Sequence, residues 1–401
     1  MTSSRTTESS RAGTRTRRRA RSRRSIALAV GVMAAVAIVV PGTASAGWYE
    51  VDDLGNTTPA GHGDAPAPTD ENDGASQSLP TVTAAAAIVV DRASGQVLGA
   101  KNPDLRWAPA STTKMMTGLL AAEAIAAGDV SLTDTVTIPS YVDIEEPGEA
   151  VLTPGDTISL RDLMYMMLVS SKNDAATAVA MHVGSNPDWR PSWIARTEFI
   201  DRMNERAAEL GLTNTSYVDV SGRDPEDLHH IDEQQGCVDN DFDNASCAHY
   251  STARDLSKLA RVVLDDPVLA GIVRTPSWRT TTWQSSTGAA RDRTYTTTNQ
   301  LLPTQSQAYP GAYGVKTGTT HMARQNLVSA AKTSSGSEPP PTDAGVPTPS
   351  LPPMSSSARS AQAAGPDVVA VVLGSDDDDN TAADRFTDSR ALLDFGLERT
   401  P

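Results

Sequence analysis

Residues 108–117 read Ala-Pro-Ala-Ser-Thr-Thr-Lys-Met-Met-Thr, and this stretch decides how the rest of the chain is interpreted. Pro109 lies just ahead of a predicted helix, so the Ser111 hydroxyl lies near exposed backbone N–H groups and the positive end of the helix dipole. Lys114 follows one turn later on the same face. A lysine amine can accept the proton of a neighbouring hydroxyl when partial burial and nearby cations lower the lysine pKa. The stretch therefore predicts a serine nucleophile that works without histidine.

A second motif, Ser171-Lys172-Asn173, lies at the predicted corner between two helices. The Ser171 hydroxyl could relay a proton between Lys114 and a leaving amine. The Asn173 amide could bind a substrate backbone, because it offers both donors and an acceptor.

A third motif, Lys316-Thr317-Gly318, lies on a predicted strand. Its lysine and threonine can hold a carboxylate, and its glycine lets a substrate lie against the strand edge. Each motif alone is common, since a serine or asparagine can simply cap a helix and a lysine can simply be solvated. The order of the three motifs and their settings favour a joint catalytic site.

Hydrophobic patterning predicts strands and helices in separate blocks. A strand over 84–90 returns over 96–100 as a hairpin, and a block of helices follows. The predicted helices span 112–127, 160–168, 174–182, 194–210, 252–264 and 381–395, and the late strands span 313–316, 326–332 and 368–373. Because neighbouring strands pair locally, we expect an α/β fold of the α+β type, with an antiparallel sheet, flanking helices and an all-helical lobe. The cleft between sheet and lobe is the expected place for a site.

The first 46 residues differ in composition from the rest. Residues 1–24 carry nine arginines and one glutamate, residues 26–40 are apolar, and Ala44-Ser45-Ala46 fits a cleavage site. This pattern is typical of a secretory signal peptide over 1–46, and the alternative is an uncleaved anchor. We therefore expect an exported protein on the extracellular, cell-wall side of the membrane, which would be attached to the membrane only if the signal segment stays uncleaved.

The remainder is acidic and is predicted to hold one domain. The whole chain carries a formal charge of −15 despite its basic head, so nucleic acid is not an expected partner. Residues 47–79 are rich in Asp, Gly, Pro, Ser and Thr, which predicts a disordered acidic linker. The domain spans 80–397, with a surface insertion at 333–366 whose removal leaves two strands joined as a hairpin.

Only two cysteines occur, Cys237 and Cys247. In an oxidising compartment we expect a disulfide between them, and the alternative is two free thiols. Between them, Asp239, Asp241 and Asp243 are spaced like the start of a calcium loop, but the twelfth position is not glutamate, which favours a solvated acidic loop. No other cysteine or histidine cluster has zinc spacing, so we expect no metal and no cofactor.

The three motifs, together with His-Tyr-Ser-Thr-Ala-Arg-Asp-Leu at 249–256, resemble the low-molecular-mass D-alanyl-D-alanine carboxypeptidases, which are penicillin-binding serine peptidases of family S11. The resemblance runs from about 82 to 397 and is broken at 223–248 and 333–366. It implies a penicillin-binding catalytic domain with the β-lactamase/transpeptidase-like fold. It also implies removal of the terminal D-alanine from peptidoglycan pentapeptides and inhibition by β-lactams.

The resemblance assigns a role to each motif residue. Ser111 would attack the carbonyl between the two terminal D-alanines, Lys114 would be the acylation base, and Ser171 would pass the proton onward. The backbone N–H groups of Ser111 and Thr319 would form an oxyanion hole. The residues that would bind substrate are Asn173, Lys316, Thr317, Gly318 and Thr319.

The chain departs from the family pattern in places. Arg324 stands where glycine is usual, which puts the turn after the third motif in doubt. Lys172 also stands where glycine is usual, and it either adds positive charge beside the site or points to solvent. The family's second, all-β domain is not expected. One rival interpretation is a class A-like β-lactamase, for which Glu209 would have to deacylate the enzyme from what reads as a helix end. Others are a peptidoglycan endopeptidase or transpeptidase and a catalytically silent wall-binding module. His249 is interpreted as structural.

Overall fold

The computed structural model describes residues 49–51, 57–59, 79–139, 151–185, 192–224, 249–333, 365–375 and 383–400. The strands in these residues are β1 (Tyr49–Val51), β2 (Thr57–Pro59), β3 (Ala86–Asp91), β4 (Val97–Lys101), β5 (Thr135–Thr137), β6 (Thr157–Ser159), β7 (Ser277–Arg279), β8 (Thr294–Thr296), β9 (Ala312–Thr320), β10 (Arg324–Lys332) and β11 (Asp367–Ser375). The helices are α1 (Lys114–Ala127), α2 (Leu160–Val169), α3 (Asn173–Ser185), α4 (Ser192–Glu209), α5 (Ala253–Asp265), α6 (Pro267–Val273) and α7 (Ala383–Leu397).

The chain divides into two compact units, Met1–Thr69 and Asp70–Pro401. In the first unit β1 and β2 pair antiparallel, within the interval predicted to be a linker. The rest of that interval up to residue 78 lies outside the described residues, as does the predicted signal segment. The signal peptide and the linker therefore stay predictions.

One antiparallel sheet organises the second unit, with its strands in the order β4-β3-β11-β10-β9. The pairing of Lys332 with Asp367 brings β10 and β11 together across the predicted insertion, of which residues 334–364 lie outside the described part of the chain. The antiparallel sheet and the hairpin predicted from sequence are confirmed. β9 forms one edge of the sheet, and this edge position matters for the site.

The central strands are apolar along their whole length because helices cover both faces of the sheet. In β11, Val369 and Val371 face a core shared with α1, α2 and α5, whereas Val368 and Val372 pack with Phe386 of α7. This alternation with a period of two is the geometry of a strand with two buried faces. Continuous apolar runs are therefore the sequence signature of these strands.

Helices α1 to α6 pack together on the side of the sheet opposite α7 and form the predicted helical lobe. Its centre is α2, where Met164, Met166 and Met167 are fully buried. The α2 N-terminus is capped by Ser159, whose hydroxyl accepts from the backbone N–H of Asp162 at 3.1 Å. The mixed helical and antiparallel architecture predicted from sequence is confirmed.

The sequence pattern does not predict the pairs β5–β6 and β7–β8 or the helix α6. Strands of three residues are too short to show alternation. The region of β7 is attached by a distant side chain, because the Asp162 carboxylate accepts from the Trp278 indole at 2.8 Å and from the backbone N–H of Thr281 and Thr282 at 3.1 Å each. Such elements depend on tertiary contacts, which local pattern does not report.

Other predictions fall outside the described residues. These are the disulfide between Cys237 and Cys247 and the calcium alternative at Asp239, Asp241 and Asp243. Both therefore stay predictions. Within the residues that the structure describes, no helix is long and apolar enough to cross a membrane.

Candidate active site

Ser111 lies in a short 3-10 turn, Ala110–Thr113, which leads directly into α1. The turn is anchored to the sheet by Asn326 of β10, whose amide donates to the carbonyls of Ala108 at 2.9 Å and Pro109 at 3.2 Å. No side-chain hydrogen bond caps the turn or α1, so Ser111 is not acting as a helix cap. Its half-buried hydroxyl is left to face Lys114.

Lys114 is fully buried, and its ammonium nitrogen is surrounded by acceptors. Nζ lies 2.7 Å from Ser111 Oγ, 2.5 Å from Asn173 Oδ1 and 2.7 Å from the carbonyl oxygen of Ser221. The Asn173 and Ser221 oxygens can only accept, whereas the Ser111 hydroxyl can also donate. A neutral Lys114 therefore donates both of its N–H groups to the two carbonyl oxygens. Its lone pair then faces the Ser111 hydroxyl, as a general base requires.

Lys316 of β9 lies on the other side of the second motif. It is buried, and its Nζ donates to Ser171 Oγ at 2.9 Å and to the Thr317 carbonyl at 3.0 Å. Burial, followed by the positive charges of Lys114 and Arg385, holds the pKa of Lys316 well below its usual value. Both lysines therefore contact the second motif. Lys114 binds Asn173, and Lys316 binds Ser171.

Lys172, between these two contacts, is half-buried. Its charge bears on Asp174, whose carboxylate accepts from the backbone N–H groups of Val151 and Leu152. Burial raises the pKa of Asp174, and the backbone hydrogen bonds, followed by the charge of Lys172, act against that rise. Lys172 therefore makes only a small contribution to keeping this carboxylate charged.

The third motif packs against the turn Ala110–Thr113, which we call the nucleophile turn because it carries the predicted nucleophile Ser111. A side chain at Gly318 would place its Cβ 3.0 Å from the Pro109 carbonyl oxygen and 3.3 Å from the Ser111 backbone nitrogen. Both distances are shorter than ordinary contacts of a Cβ, so glycine favours the close approach of β9 to Ser111. Thr317 is buried and Thr319 is exposed. The structure thus brings Ser111, Lys114, Ser171, Asn173 and residues 316–319 into one place.

The turn after β9 forms although glycine is missing there. Arg324, where the family pattern has glycine, adopts a left-handed conformation with φ of 53°. A residue with a side chain is unfavourable in this region but tolerated when its surroundings hold it.

The Ser221 carbonyl is held toward Lys114 by residues that the sequence pattern does not single out. Asp219 accepts from the backbone N–H of Ser221 at 3.0 Å and of Gly222 at 2.8 Å, and Arg196 donates to it at 2.6 Å. Burial alone would raise the pKa of Asp219, but Arg196 and Arg223 hold it well below its usual range. No sequence motif indicates this arrangement, because the group that contacts Lys114 is a backbone carbonyl.

Two further side chains border β9. The Thr298 hydroxyl lies 2.5 Å from the Thr317 hydroxyl, which adds a second polar group where a carboxylate would bind. Behind the strand, the buried Arg385 of α7 donates to the carbonyls of Gly318 at 2.9 Å and Asn326 at 3.3 Å. Both are ordinary residue types in ordinary contexts, so the sequence alone did not single them out.

His249 is structural, as predicted, and it supports the first motif. Its Nδ1 accepts from the Val218 backbone N–H at 3.1 Å, which requires Nδ1 to be unprotonated, and its Nε2 lies 3.3 Å from the Thr113 hydroxyl. Burial lowers the His249 pKa to about 4. Glu209, by contrast, ends α4 half-exposed and pairs with Arg206 at 2.8 Å, so it is engaged away from the site.

The family described as D-alanyl-D-alanine carboxypeptidase, peptidase S11, matches residues 73–337, which is more than half of the chain. The chain therefore belongs to the D-alanyl-D-alanine carboxypeptidase family S11.

Curated relatives agree with this family assignment. D-alanyl-D-alanine carboxypeptidase DacF of Bacillus subtilis (strain 168) is 29% identical over 270 residues, which is 67% of this chain and 59% of that protein. D-alanyl-D-alanine carboxypeptidase of Streptomyces sp. (strain K15) is 33% identical over 258 residues, 63% of this chain and 77% of that protein. DacC of Escherichia coli (strain K12) is 31% identical, over 63% of this chain and 54% of that protein. The chain thus spans little more than half of the Bacillus and Escherichia relatives.

Solved structures share the fold. The Streptomyces K15 DD-transpeptidase has a TM-score of 0.59 and 28% identity, and the likeness covers 80% of this chain and 99% of that one. Penicillin-binding protein D2 from Listeria monocytogenes, in a cefotaxime-bound form, has a TM-score of 0.53 and 24% identity over 79% of this chain and 98% of that one, which shows the fold alone.

The close approach at Gly222 generates a prediction about stability. A Cβ at Gly222, where φ is 90°, would lie 1.9 Å from the Ala110 carbonyl oxygen, whereas a Cβ at Gly128, where φ is 82°, meets nothing within 4 Å. Gly128→Ala should lower the free energy of unfolding by about 1–2 kcal/mol, the usual cost of a left-handed residue with a side chain. Gly222→Ala should lower it by several-fold more. Urea unfolding of both variants checks this, and equal losses would contradict the close packing of Gly222 on the nucleophile turn.

The buried His249 predicts how stability depends on pH. Its folded-state pKa of about 4 lies below the ordinary value of 6.5, so the neutral ring favours the folded state. The stabilisation is complete above pH 6.5 and is lost as the pH falls toward 4, by about 3 kcal/mol in all. His249→Gln should lose correspondingly less stability than wild type over this range. Urea unfolding at several pH values measures it, with the partly exposed His182→Gln as control, and parallel curves for wild type and His249→Gln would refute the idea.

Proposed function

We propose that this protein is a serine-type D-alanyl-D-alanine carboxypeptidase that removes the terminal D-alanine from peptidoglycan stem peptides through an acyl-enzyme on Ser111. The observation that carries the proposal is the 2.7 Å contact between the Nζ of the fully buried Lys114 and Ser111 Oγ, with two carbonyl oxygens as the other acceptors of Lys114. A serine–lysine pair in this arrangement suits acyl transfer without histidine or metal. Family membership supports the same activity.

Acylation begins when the neutral amine of Lys114 takes the proton from the Ser111 hydroxyl. Ser111 Oγ then forms a bond to the carbonyl carbon between the two terminal D-alanines, and the C–N bond of that peptide breaks. The leaving D-alanine amine needs a proton, which returns from Lys114 through the Ser171 hydroxyl. The contact of Lys316 with Ser171 Oγ at 2.9 Å supports this relay, because the hydrogen bond holds the Ser171 hydroxyl in place.

The tetrahedral intermediate carries negative charge on its oxygen. The backbone N–H groups of Ser111 and Thr319 are proposed to bind this oxyanion. The approach of β9 to the Ser111 backbone nitrogen at Gly318 supports the assignment, since it brings the strand and the nucleophile turn into contact. Removing one oxyanion donor typically costs roughly 3 kcal/mol of transition-state stabilisation.

The terminal carboxylate of the substrate is proposed to bind Lys316 and Thr317, with the Thr298 hydroxyl beside them. The contact between the two threonine hydroxyls supports a shared polar pocket. Opposite charge beside a buried cation stabilises its charged form, so a bound carboxylate offsets the effect of burial on Lys316. The Asn173 amide is proposed to bind the substrate backbone.

Water is proposed to release the acyl group, restoring Ser111 and freeing the shortened peptide. A β-lactam would acylate Ser111 in the same way and act as an inhibitor. The Streptomyces K15 relative is described as a DD-transpeptidase, so an assay must separate water from an amine as the acceptor.

Export is a further part of the proposal. The basic, apolar and Ala-Ser-Ala segments of residues 1–46 support translocation across the membrane, and peptidoglycan lies on that far side. The protein would then act on the cell-wall side of the membrane.

The central test is release of D-alanine from a purified pentapeptide. Ser111→Ala should abolish release, and Lys114→Arg should lower kcat by about 10³-fold or more, because arginine cannot be deprotonated to act as a base. Lys101→Arg is the matched control, since Lys101 also donates to two carbonyls, those of Val82 and Ala84, away from the site. Release that survives in Ser111→Ala would sink the mechanism.

Two added arms of this assay separate the rivals. An added D-amino acid should be incorporated weakly compared with hydrolysis if water is the preferred acceptor. A chromogenic cephalosporin should acylate the protein and turn over slowly, whereas rapid turnover would favour a β-lactamase.

Export predicts a specific mature N-terminus. Expression of the full chain in a bacterial host should yield protein outside the cytoplasm that begins at Gly47, as read by mass spectrometry. Ala46→Trp should block cleavage, because the site requires small residues. An intact N-terminus in the membrane fraction would support the anchor instead, and intact protein in the cytoplasm would contradict export.

A further inference from the structure

A buried carboxylate outside the three motifs holds the end of β9. Asp224 is 2% exposed and accepts from the Thr320 hydroxyl at 2.6 Å and from the Met322 backbone N–H at 3.0 Å. The Thr320 hydroxyl accepts in turn from the Ala323 backbone N–H at 3.1 Å. The carboxylate and the hydroxyl together therefore fix the turn between β9 and β10.

The end of β9 needs such support for two reasons. β9 is an edge strand, so in the described part of the chain only β10 pairs with it along its length. The turn also contains Arg324 in a left-handed conformation, which is unfavourable for a residue with a side chain. Without an external hold, the turn can relax, and Thr319 lies next to it.

Asp224 is also close in sequence to the backbone that contacts Lys114. It lies three residues after Ser221, whose carbonyl accepts from Lys114 at 2.7 Å. Asp219 ties the intervening chain by accepting from the backbone N–H groups of Gly222 at 2.8 Å and Arg223 at 3.1 Å. One short segment, residues 219–224, thus contacts both the proposed base and the turn that ends β9.

We propose that Asp224 is a positioning residue for the reaction: through Thr320 and the β9–β10 turn it holds the Thr319 backbone N–H in place opposite that of Ser111. The inference rests on the proposed function, since it concerns the oxyanion hole of that reaction. In the proposal, Asp224 acts on the reaction through the turn that it binds. Misplacement of a catalytic group by about 1 Å can lower a rate by roughly 10²-fold. We therefore expect the loss of Asp224 to lower kcat.

The test compares three variants in D-alanine release, with kcat and KM measured separately. Asp224→Ala should lower kcat by about 10²-fold and change KM only a few-fold, because substrate contacts remain while the oxyanion donor shifts. Asp224→Asn should lose less, since its amide oxygen can still accept from Met322. Thr320→Val should resemble Asp224→Ala, and the double variant should be no worse than the worse single one, because both changes break the same contact.

Asp388 offers a matched control. It is a 4% exposed carboxylate of α7 that accepts from the Thr83 hydroxyl at 2.9 Å and from the backbone N–H groups of Thr83 at 3.0 Å and Ala84 at 2.9 Å. Like Asp224, it binds one hydroxyl and backbone amides, but it lies away from the three motifs. Asp388→Ala should lower the thermal midpoint while leaving kcat of the folded protein within about 2-fold of wild type.

The outcomes separate the inference from the proposed function. If wild type releases D-alanine but the Asp224 and Thr320 variants fall in kcat no more than Asp388→Ala at a similar loss of thermal stability, Asp224 is merely structural and the inference is overturned. Additive losses in the double variant would overturn it as well. If Asp224→Ala does not fold, Asp224→Asn and Thr320→Val decide the question on the same criteria. Wild type that neither releases D-alanine nor is labelled by a fluorescent penicillin would overturn the proposed function, and the inference with it.

Discussion

Two lysine side chains buried in one small volume are the constraint on which the rest of the structure depends. Lys114 is 0% exposed and Lys316 is 1% exposed. Removing a cation from water is unfavourable unless other acceptors replace the water. Lys114 finds its acceptors on three separate pieces of chain: the nucleophile turn, the start of α3 and the segment that carries the Ser221 carbonyl. The hydrogen bonds of this one side chain therefore link the helical lobe to the turn before α1.

Strained backbone accompanies each of the three motifs. Ala110 precedes the nucleophile with φ of 47°, Ser171 opens the second motif with φ of 64°, and Arg324 follows the third with φ of 53°. Left-handed residues with side chains persist only where the surrounding contacts over-determine them. Asn326 supplies such contacts at the first position and Asp224 near the third. Asn102 and Thr304 are also left-handed, so such residues are not confined to the motifs, but at Ala110 and Arg324 hydrogen bonds from or to buried side chains support the turn.

The same contacts explain what the sequence can and cannot predict. The side chains proposed to carry the chemistry are predictable, because the spacing of Ser111 and Lys114 follows from helix geometry and the β9 motif lies on an apolar run. The long strands are predictable because both of their faces are buried, whereas three-residue strands such as β7 show no pattern. The Ser221 carbonyl is not predictable, since a backbone group has no residue signature and its partner is 107 positions away. The buried roles of Asp219 and Asp224 are not predictable for a related reason. An isolated aspartate in a sequence usually lies on the solvated surface.

Burial of the lysines also bears on how the proposed reaction selects its substrate. Desolvation and the charges of Lys114 and Arg385 disfavour the charged form of Lys316, which lowers its pKa in the empty site. A carboxylate bound beside Lys316 reverses this balance, because the attraction between opposite charges is strong where water is excluded. A peptide without a free carboxylate would not provide this attraction, and Lys316 would then keep the lowered pKa of the empty site. The proposed preference for a C-terminal carboxylate therefore follows from the charged form of Lys316 that the carboxylate stabilises.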